Sequence, residues 1–315
     1  MNGIRLDCLT GHKSFILSIA ISADDTRIVS GSGDKLVIVW NAASGSLIHC
    51  LEGHSEIVTS VKCTIDAGRI VSGSADFSII LWDGIEGVPL RSLIDHVGPV
   101  FTVAFSPNWT AVASGAKDHL VILWDAISGH IKFKMDGHNG PVCSIAYSRQ
   151  GDRVVSGSWD ESMIIWDTAT GLRMLSINNC RSHVYAVAFS PDDGLIASTY
   201  GWRSVAFWDA ATGARISKLK GHSKRVLALA FSRDGTTLAT GSADHSVILY
   251  KQAGVPSVPL FVFKVFSSAH MRSRGIGFVY FSVGLIDRIF IAATSVTCMW
   301  FIVPLPLHFL SASPL

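Results

Sequence analysis

The chain has 315 residues, 49% of them hydrophobic, and 26 Lys plus Arg against 24 Asp plus Glu leave a formal charge of +2. That is enough for one large all-β domain, and no charge imbalance points to nucleic acid. The six cysteines, Cys8, Cys50, Cys63, Cys143, Cys180 and Cys298, include no Cys-x-x-Cys pair and sit mostly in apolar text, so they read as small buried hydrophobes in a reducing compartment. Met1 to Leu9 carries Arg5 and Asp7 and no apolar core, so no signal peptide is visible and the sequon Asn108-Trp109-Thr110 reads as an unmodified turn. An intracellular location, cytoplasm or nucleus, is expected.

Along the chain the first feature is a short strand-like segment, "GIRLDCL", whose Gly3 stands nine residues before His12, as Gly45 does before His54, Gly87 before His96 and Gly129 before His138. It reads as the outer strand of a repeat whose other strands are missing. A set of markers then recurs every 42 residues: Trp40, Trp82, Trp124, Trp166 and Trp208, with Tyr250 on the sixth beat. His12, His54, His96, His138 and His222 lie 28 residues ahead of their beats, Asp34, Asp76, Asp118, Asp160 and Asp244 six ahead, and a hydroxyl residue ten ahead: Ser30, Ser72, Ser114, Ser156, Ser198 and Thr240. Between the markers, runs such as "IVSGSADFSIILWD" are β-branched strands broken by Gly/Ser/Asp turns. Each period holds about four strands and no helix, and such a sheet must stack on its neighbours to bury its faces. The fold class is therefore an all-β propeller.

The fifth repeat departs from the pattern, with Cys180 in the His register and Trp202 in the Asp register, while His183 lies three residues later. Either that blade is held by packing alone, or relaxed structural demand has freed its rim for binding. In the third repeat Asp95 replaces the Gly before His. Beyond Tyr250 the text weakens. "IGFVYFS", Ile276 to Ser282, resembles "VFTVAFS", and Ser282 to Trp300 spans 18 residues as Ser106 to Trp124 does. A degenerate seventh blade is expected, in which Arg272, Phe290 and Thr294 take the marker registers. The alternatives are six blades plus a hydrophobic tail, or a membrane-associated tail. Pro304 and Pro306 limit the unbroken apolar run to about Ile289–Val303, short of the roughly 20 residues a spanning helix needs. The expected division is residues 1–254 as six repeats, beginning with the closing outer strand, and 255–315 as the degenerate blade or tail.

The Gly-His pairs at His12, His54, His138 and His222, and the Trp-Asp pairs at Trp82, Trp124, Trp166 and Trp208, resemble the WD40 repeat family over residues 3 to 250. The even cadence is also similar to the WD-repeat arrays attached to NACHT-type NTPases of fungi and bacteria, although no Walker-type loop is present. The resemblance implies a propeller of seven four-stranded antiparallel blades, whose N-terminal strand completes the last blade. It also implies that His, Asp, Ser or Thr and Trp of each repeat form a hydrogen-bonded tetrad. Five near-copies of such a set are not a single catalytic constellation, and their spread over 28 positions lacks the spacing of a zinc site. No catalytic residue, cofactor or metal is expected.

The resemblance further implies a non-enzymatic scaffold for other proteins or peptides, as part of a larger complex; the alternative is a ligand-sensing module detached from a NACHT-type signalling protein. In related propellers partners meet the channel rim through residues three and five places after the loop His and just before the turn Asp. Carried over by register, these are Phe101, Lys117, Trp159, His183 and Tyr185, with Trp202 beside them and Arg225 at the margin. The first two repeats offer mostly aliphatic or small residues there, such as Leu17, Gly33, Thr59 and Ala75, so aromatic character is expected on one side. Large rigid rings bury much apolar area at low entropic cost.

Overall fold

The computed structural model describes residues 8–251 and the backbone of 259–264. Each repeat forms one antiparallel meander. The first sheet runs β1 (Ile16–Ile21), β2 (Arg27–Ser32), β3 (Val37–Asn41), β4 (Leu47–Leu51); the second β5 (Val58–Cys63), β6 (Arg69–Ser74), β7 (Ser78–Asp83), β8 (Val88–Ile94); the third β9 (Val100–Phe105), β10 (Ala111–Ala116), β11 (Val121–Asp125), β12 (Ile131–Met135). The fourth runs β13 (Val142–Tyr147), β14 (Arg153–Ser158), β15 (Met163–Asp167), β16 (Arg173–Ile177); the fifth β17 (Val187–Phe189), β18 (Leu195–Tyr200), β19 (Ser204–Asp209), β20 (Arg215–Lys220); the sixth β21 (Val226–Phe231), β22 (Thr237–Ser242), β23 (Ser246–Lys251), β24 (Pro259–Lys264). The inner strands β1, β5, β9, β13, β17 and β21 touch in succession, which makes the sheets consecutive blades of a propeller.

Six blades, not seven, are present among the described residues. The expected seventh blade and the closing strand at Gly3 lie outside them. The sixth sheet takes its outer strand, β24, from beyond the boundary expected at 254. This strand covers the edge that β23 would otherwise expose, and Pro259 is its first residue, a position that needs no ladder donor.

Because side chains alternate across a strand, each sheet is apolar on both faces and shares a core with each neighbour. Val29, Val37, Val39 and Leu51 meet Val58, Val61, Ile70 and Trp82 between the first two sheets. Val155, Met163, Ile165 and Ile177 meet Val184, Val187, Ile196 and Trp208 between the fourth and fifth. One backbone position sets how closely the sheets approach. A Cβ at Gly31, Gly73, Gly115 or Gly157 would lie 2.6, 2.7, 2.5 or 2.5 Å from the Cγ1 of Val58, Val100, Val142 or Val184 in the next sheet. Only glycine admits that contact.

The fifth sheet carries Thr199 at this position. Its Oγ1 instead accepts the backbone N–H of Tyr185 (2.8 Å) and Ala186 (3.4 Å), and β17 has three residues where the other inner strands have six. Those bonds stay within the fifth repeat, whereas serine hydroxyls cross three earlier boundaries, accepting the N–H of the next sheet: Ser18 from Val61, Ser60 from Val103 and Ser144 from Val187. Ala186 holds the equivalent place before the sixth sheet and has no hydroxyl. The boundary between sheets five and six is thus built differently from those before it.

Gly73→Val is expected to force Val100 and Val103 outward and to destabilise the fold by about 1–3 kcal/mol. Urea unfolding provides the check, and an unchanged midpoint would show that the sheets do not depend on this close approach.

Candidate functional site

The loop histidines, the turn aspartates and the strand serines converge at one end of the blades. In the first sheet the Trp40 indole donates to Ser30 Oγ at 2.8 Å, Ser30 lies 2.8 Å from His12 Nε2, and His12 Nδ1 lies 2.9 Å from Asp34. A carboxylate can only accept, so Nδ1 carries the proton, Nε2 accepts from the serine, and the serine accepts from the indole. One directional relay runs from Trp40 to Asp34. It repeats with His54, Ser72, Asp76 and Trp82, with His96, Ser114, Asp118 and Trp124, and with His138, Ser156, Asp160 and Trp166, every link between 2.7 and 3.0 Å. The serines are fully buried, and an unpaired hydroxyl there would cost about 1–3 kcal/mol.

The carboxylates also hold the loops, since Asp34 accepts the N–H of Lys13 and Leu36, and Asp160 those of Asn139 and Ser162. Burial alone would raise the Asp76, Asp160 and Asp244 carboxyls. Their bonds from His54, His138 and His222, and from Ser78, Ser162 and Ser246, more than offset this and hold them well below the usual range. Those three serines were not among the sequence markers. Each lies 3.1 Å from the histidine Nδ1. Their signal was a Ser two places after the Asp, where the first and third repeats have Leu36 and Leu120. Burial lowers His12 and His222 against the opposing pull of Asp34 and Asp244, which fits the neutral imidazole that the relay requires.

The sixth sheet keeps His222, Thr240 at 2.8 Å and Asp244 at 3.1 Å. Tyr250 sends its hydroxyl to the carbonyl of Lys220 at 3.3 Å, and burial pushes its pKa up to about 12. In the third sheet Asp95, in the glycine register, pairs with Lys134 at 2.7 Å.

In the fifth sheet Trp208 still donates to Ser198 at 2.8 Å. Cys180 is buried in the histidine's place, its thiol pushed up to about 12 by burial, with Asp160 and Glu161 adding to the rise. The ring contact that histidine makes elsewhere is made here by Tyr200: its ring meets Trp208 edge-on at 6.0 Å and 61°, where His12 meets Trp40 at 6.2 Å and 63°. Arg215 donates to the Tyr200 hydroxyl, and its guanidinium lies 4.9 Å from the ring centroid. Apolar ring packing thus stands where a polar relay stands in the other blades. Sequence markers could not find Tyr200, because its register holds only Ser or Ala in the other repeats.

On the same face the rim residues form a ladder. Phe101 stacks on Trp159 at 6.0 Å, Trp159 on His183 at 5.4 Å and 17°, and His183 meets Tyr185 at 6.0 Å. The ladder joins the third, fourth and fifth sheets. Trp202 is 61% exposed, with the Arg225 guanidinium 4.2 Å above its ring. Lys117 is exposed on the neighbouring turn. Tyr185 is buried, so it supports the ladder from below and presents little surface. Aromatic residues are not confined to this side: Phe15 and Phe77 are also exposed at this end of the first two sheets. The stacking, not the count of rings, distinguishes sheets three to five. Among the described residues no cluster of His, Cys, Asp or Glu could hold a metal ion, and no helix is long and apolar enough to cross a membrane.

The family model described as WD domain, G-beta repeat matches residues 3–41, 45–83, 87–125, 129–167, 174–209 and 213–251. A 38-residue stretch is 53% identical to the vegetative incompatibility protein HET-E-1 of Podospora anserina, a match that covers 12% of this chain and 3% of that protein.

His138→Ala should orphan Asp160 and Ser156 and destabilise by about 1–3 kcal/mol, more than Cys180→Ala, whereas Tyr200→Ala should cost about 3–5 kcal/mol. Chemical denaturation of the three variants orders them, and equal losses for His138→Ala and Cys180→Ala would contradict the difference between the sheets. Acid should act through the same groups. His12 and His222 have folded pKa values below the unfolded value of about 6.5, so their contribution is present above that pH and lost as pH falls below it. The lowered aspartates follow the same sign, adding a steeper loss below about pH 4. A urea midpoint that stays flat from neutral pH down to about pH 4 would contradict the histidine part.

Proposed function

The chain belongs to the WD domain, G-beta repeat family, and we propose that it is a non-enzymatic recognition module that holds a protein or peptide on the loop face of sheets three to five. Propellers of this family generally serve as interaction scaffolds. The observation that carries the placement is the ladder Phe101–Trp159–His183, which spans three blades and ends on the one that lacks its tetrad. Where the loop His and turn Asp are committed to the relay, they are spent on holding the blade. In the fifth sheet Tyr200 does that work from within, which leaves the rim positions Trp202 and His183 exposed.

An enzyme needs a single reactive centre with a pKa matched to its task. Here the loop histidines repeat in equivalent settings, each tied on both ring nitrogens, and the buried Cys180 thiol is pushed away from thiolate character. Among the described residues no disulfide joins the cysteines, which supports residence in a reducing intracellular compartment. The stretch shared with HET-E-1 supports a second reading, in which the propeller is the sensing part of a larger signalling protein. A nucleotide-binding domain encoded in the same reading frame would favour it; an isolated propeller gene would not.

Trp159→Ala combined with His183→Ala should leave the melting temperature within a few degrees of wild type and abolish recovery of the partner in affinity capture from native extract. Full recovery of the partner by this variant would place the interface elsewhere on the molecule.

A further inference from the structure

The rim of the fifth and sixth sheets differs in charge from the rest of the face. At the positions one to three places after the histidine register and one after the aspartate register, it carries Arg181, His183, Arg203, Lys224, Arg225 and His245. The equivalent positions of the first two sheets mix signs, and Lys35 is already paired with Glu56 at 3.4 Å. Trp202 removes the carboxylate that every other sheet holds at the turn. Of the acids nearby, Asp160 and Asp244 are committed to His138 and His222. Glu161 is exposed at the border with the fourth sheet. Among the described residues, Arg181, Arg203, Lys224 and Arg225 enter no ion pair within the protein.

The local backbone draws these groups together. The N–H of Gly201 donates to the carbonyl of Cys180 at 3.1 Å, which sets Arg181 beside the turn bearing Trp202 and Arg203. Ala243 donates to the carbonyl of Arg225 at 2.9 Å, which fixes the sixth-sheet loop from which Arg225 reaches over the Trp202 ring. A guanidinium stacked on an indole is held in one orientation and keeps its in-plane N–H groups for a carboxylate, so less side-chain entropy remains to be lost on pairing.

We propose that this rim recognises an acidic peptide segment of a partner protein, with carboxylates on the Arg181, Arg203 and Arg225 cluster and an apolar side chain against Trp202. The proposal rests on the loop face being the binding face and adds the chemistry of what binds there. A nucleic acid fits less well. Its phosphates run on for many ångströms, whereas the cationic cluster is confined to two blades of a chain whose formal charge is only +2.

The test is an array of short peptides of varied net charge, probed with the full-length chain and followed by fluorescence anisotropy of the best binders. Peptides rich in Asp and Glu around a single Leu or Trp should dominate. Their affinity should fall about tenfold or more in the Arg181→Glu, Arg203→Glu double variant, and fall again as salt rises from about 0.05 to about 0.5 M. Thermal melting of the double variant confirms its fold, and Trp202→Ala, a surface change, supplies a second and smaller loss. Binding that shows no preference for negative peptides, or survives the charge reversal, overturns the proposal. So does tighter binding of single-stranded DNA or of anionic vesicles than of any peptide. If Trp159→Ala with His183→Ala abolishes partner capture while the array shows no acidic preference, the face stands and only the acidic partner falls.

Discussion

A hydroxyl group buried in the second strand of every sheet constrains the rest of the molecule. Ser30, Ser72, Ser114 and Ser156 are sealed from water, so each must find both a donor and an acceptor inside the blade. Only one arrangement satisfies all the groups involved. The indole supplies a proton to the oxygen, the hydroxyl passes its own to an imidazole, and the imidazole passes its own to a carboxylate that also gathers the loop N–H groups. Four side chains from a loop, two strands and a turn are thereby tied to one another, and the ends of the blade are fixed along with its middle. Polar satisfaction inside each sheet then leaves the two faces free to be largely apolar, which is what allows successive sheets to stack.

The chain's regular spacing makes this part of the structure legible in the sequence. A relay needs its members at set distances along the chain, so His54, Ser72, Asp76 and Trp82 announce themselves by interval alone. What failed to announce itself is not shared by every repeat. Ser78, Ser162 and Ser246 reinforce only alternate sheets. Tyr200 replaces a function and not a residue type: it makes the histidine's ring contact from a position where the other sheets have Ser or Ala, and no register argument finds a substitute that arrives from a different place. Thr199 was hidden for a related reason. Its effect lies in the Cβ that glycine lacks elsewhere, and the significance of an absent atom appears only because a Cβ there would lie 2.5 to 2.7 Å from the neighbouring valine.

The rim was partly legible. The registers brought Phe101, Trp159, His183 and Tyr185 to one place, and the structure stacks the first three. Burial separates Tyr185 from the others, because a residue's depth depends on how far its inner strand extends, and β17 is the short one. Exposed Phe15 and Phe77 show the converse: Phe15 holds one of the rim registers, three places after His12, and Phe77 lies one place after Asp76, outside those registers. The pairing of Trp202 with Arg225 joins residues of different sheets, and it comes from the altered turn of the fifth blade.

The glycine-to-valine approach, repeated between sheets one and two, two and three, three and four, and four and five, makes those four boundaries interchangeable joints. Each sheet from the second to the fourth presents the same socket on one face and the same plug on the other. A duplication or loss of one whole repeat among them brings together surfaces that already match, with no compensating change required. The boundary after Thr199 lacks the socket, so the fifth and sixth sheets travel as a fixed pair. A whole repeat gained or lost by this matching would fall in the first part of the array, and the end that carries the cationic rim would be left unchanged.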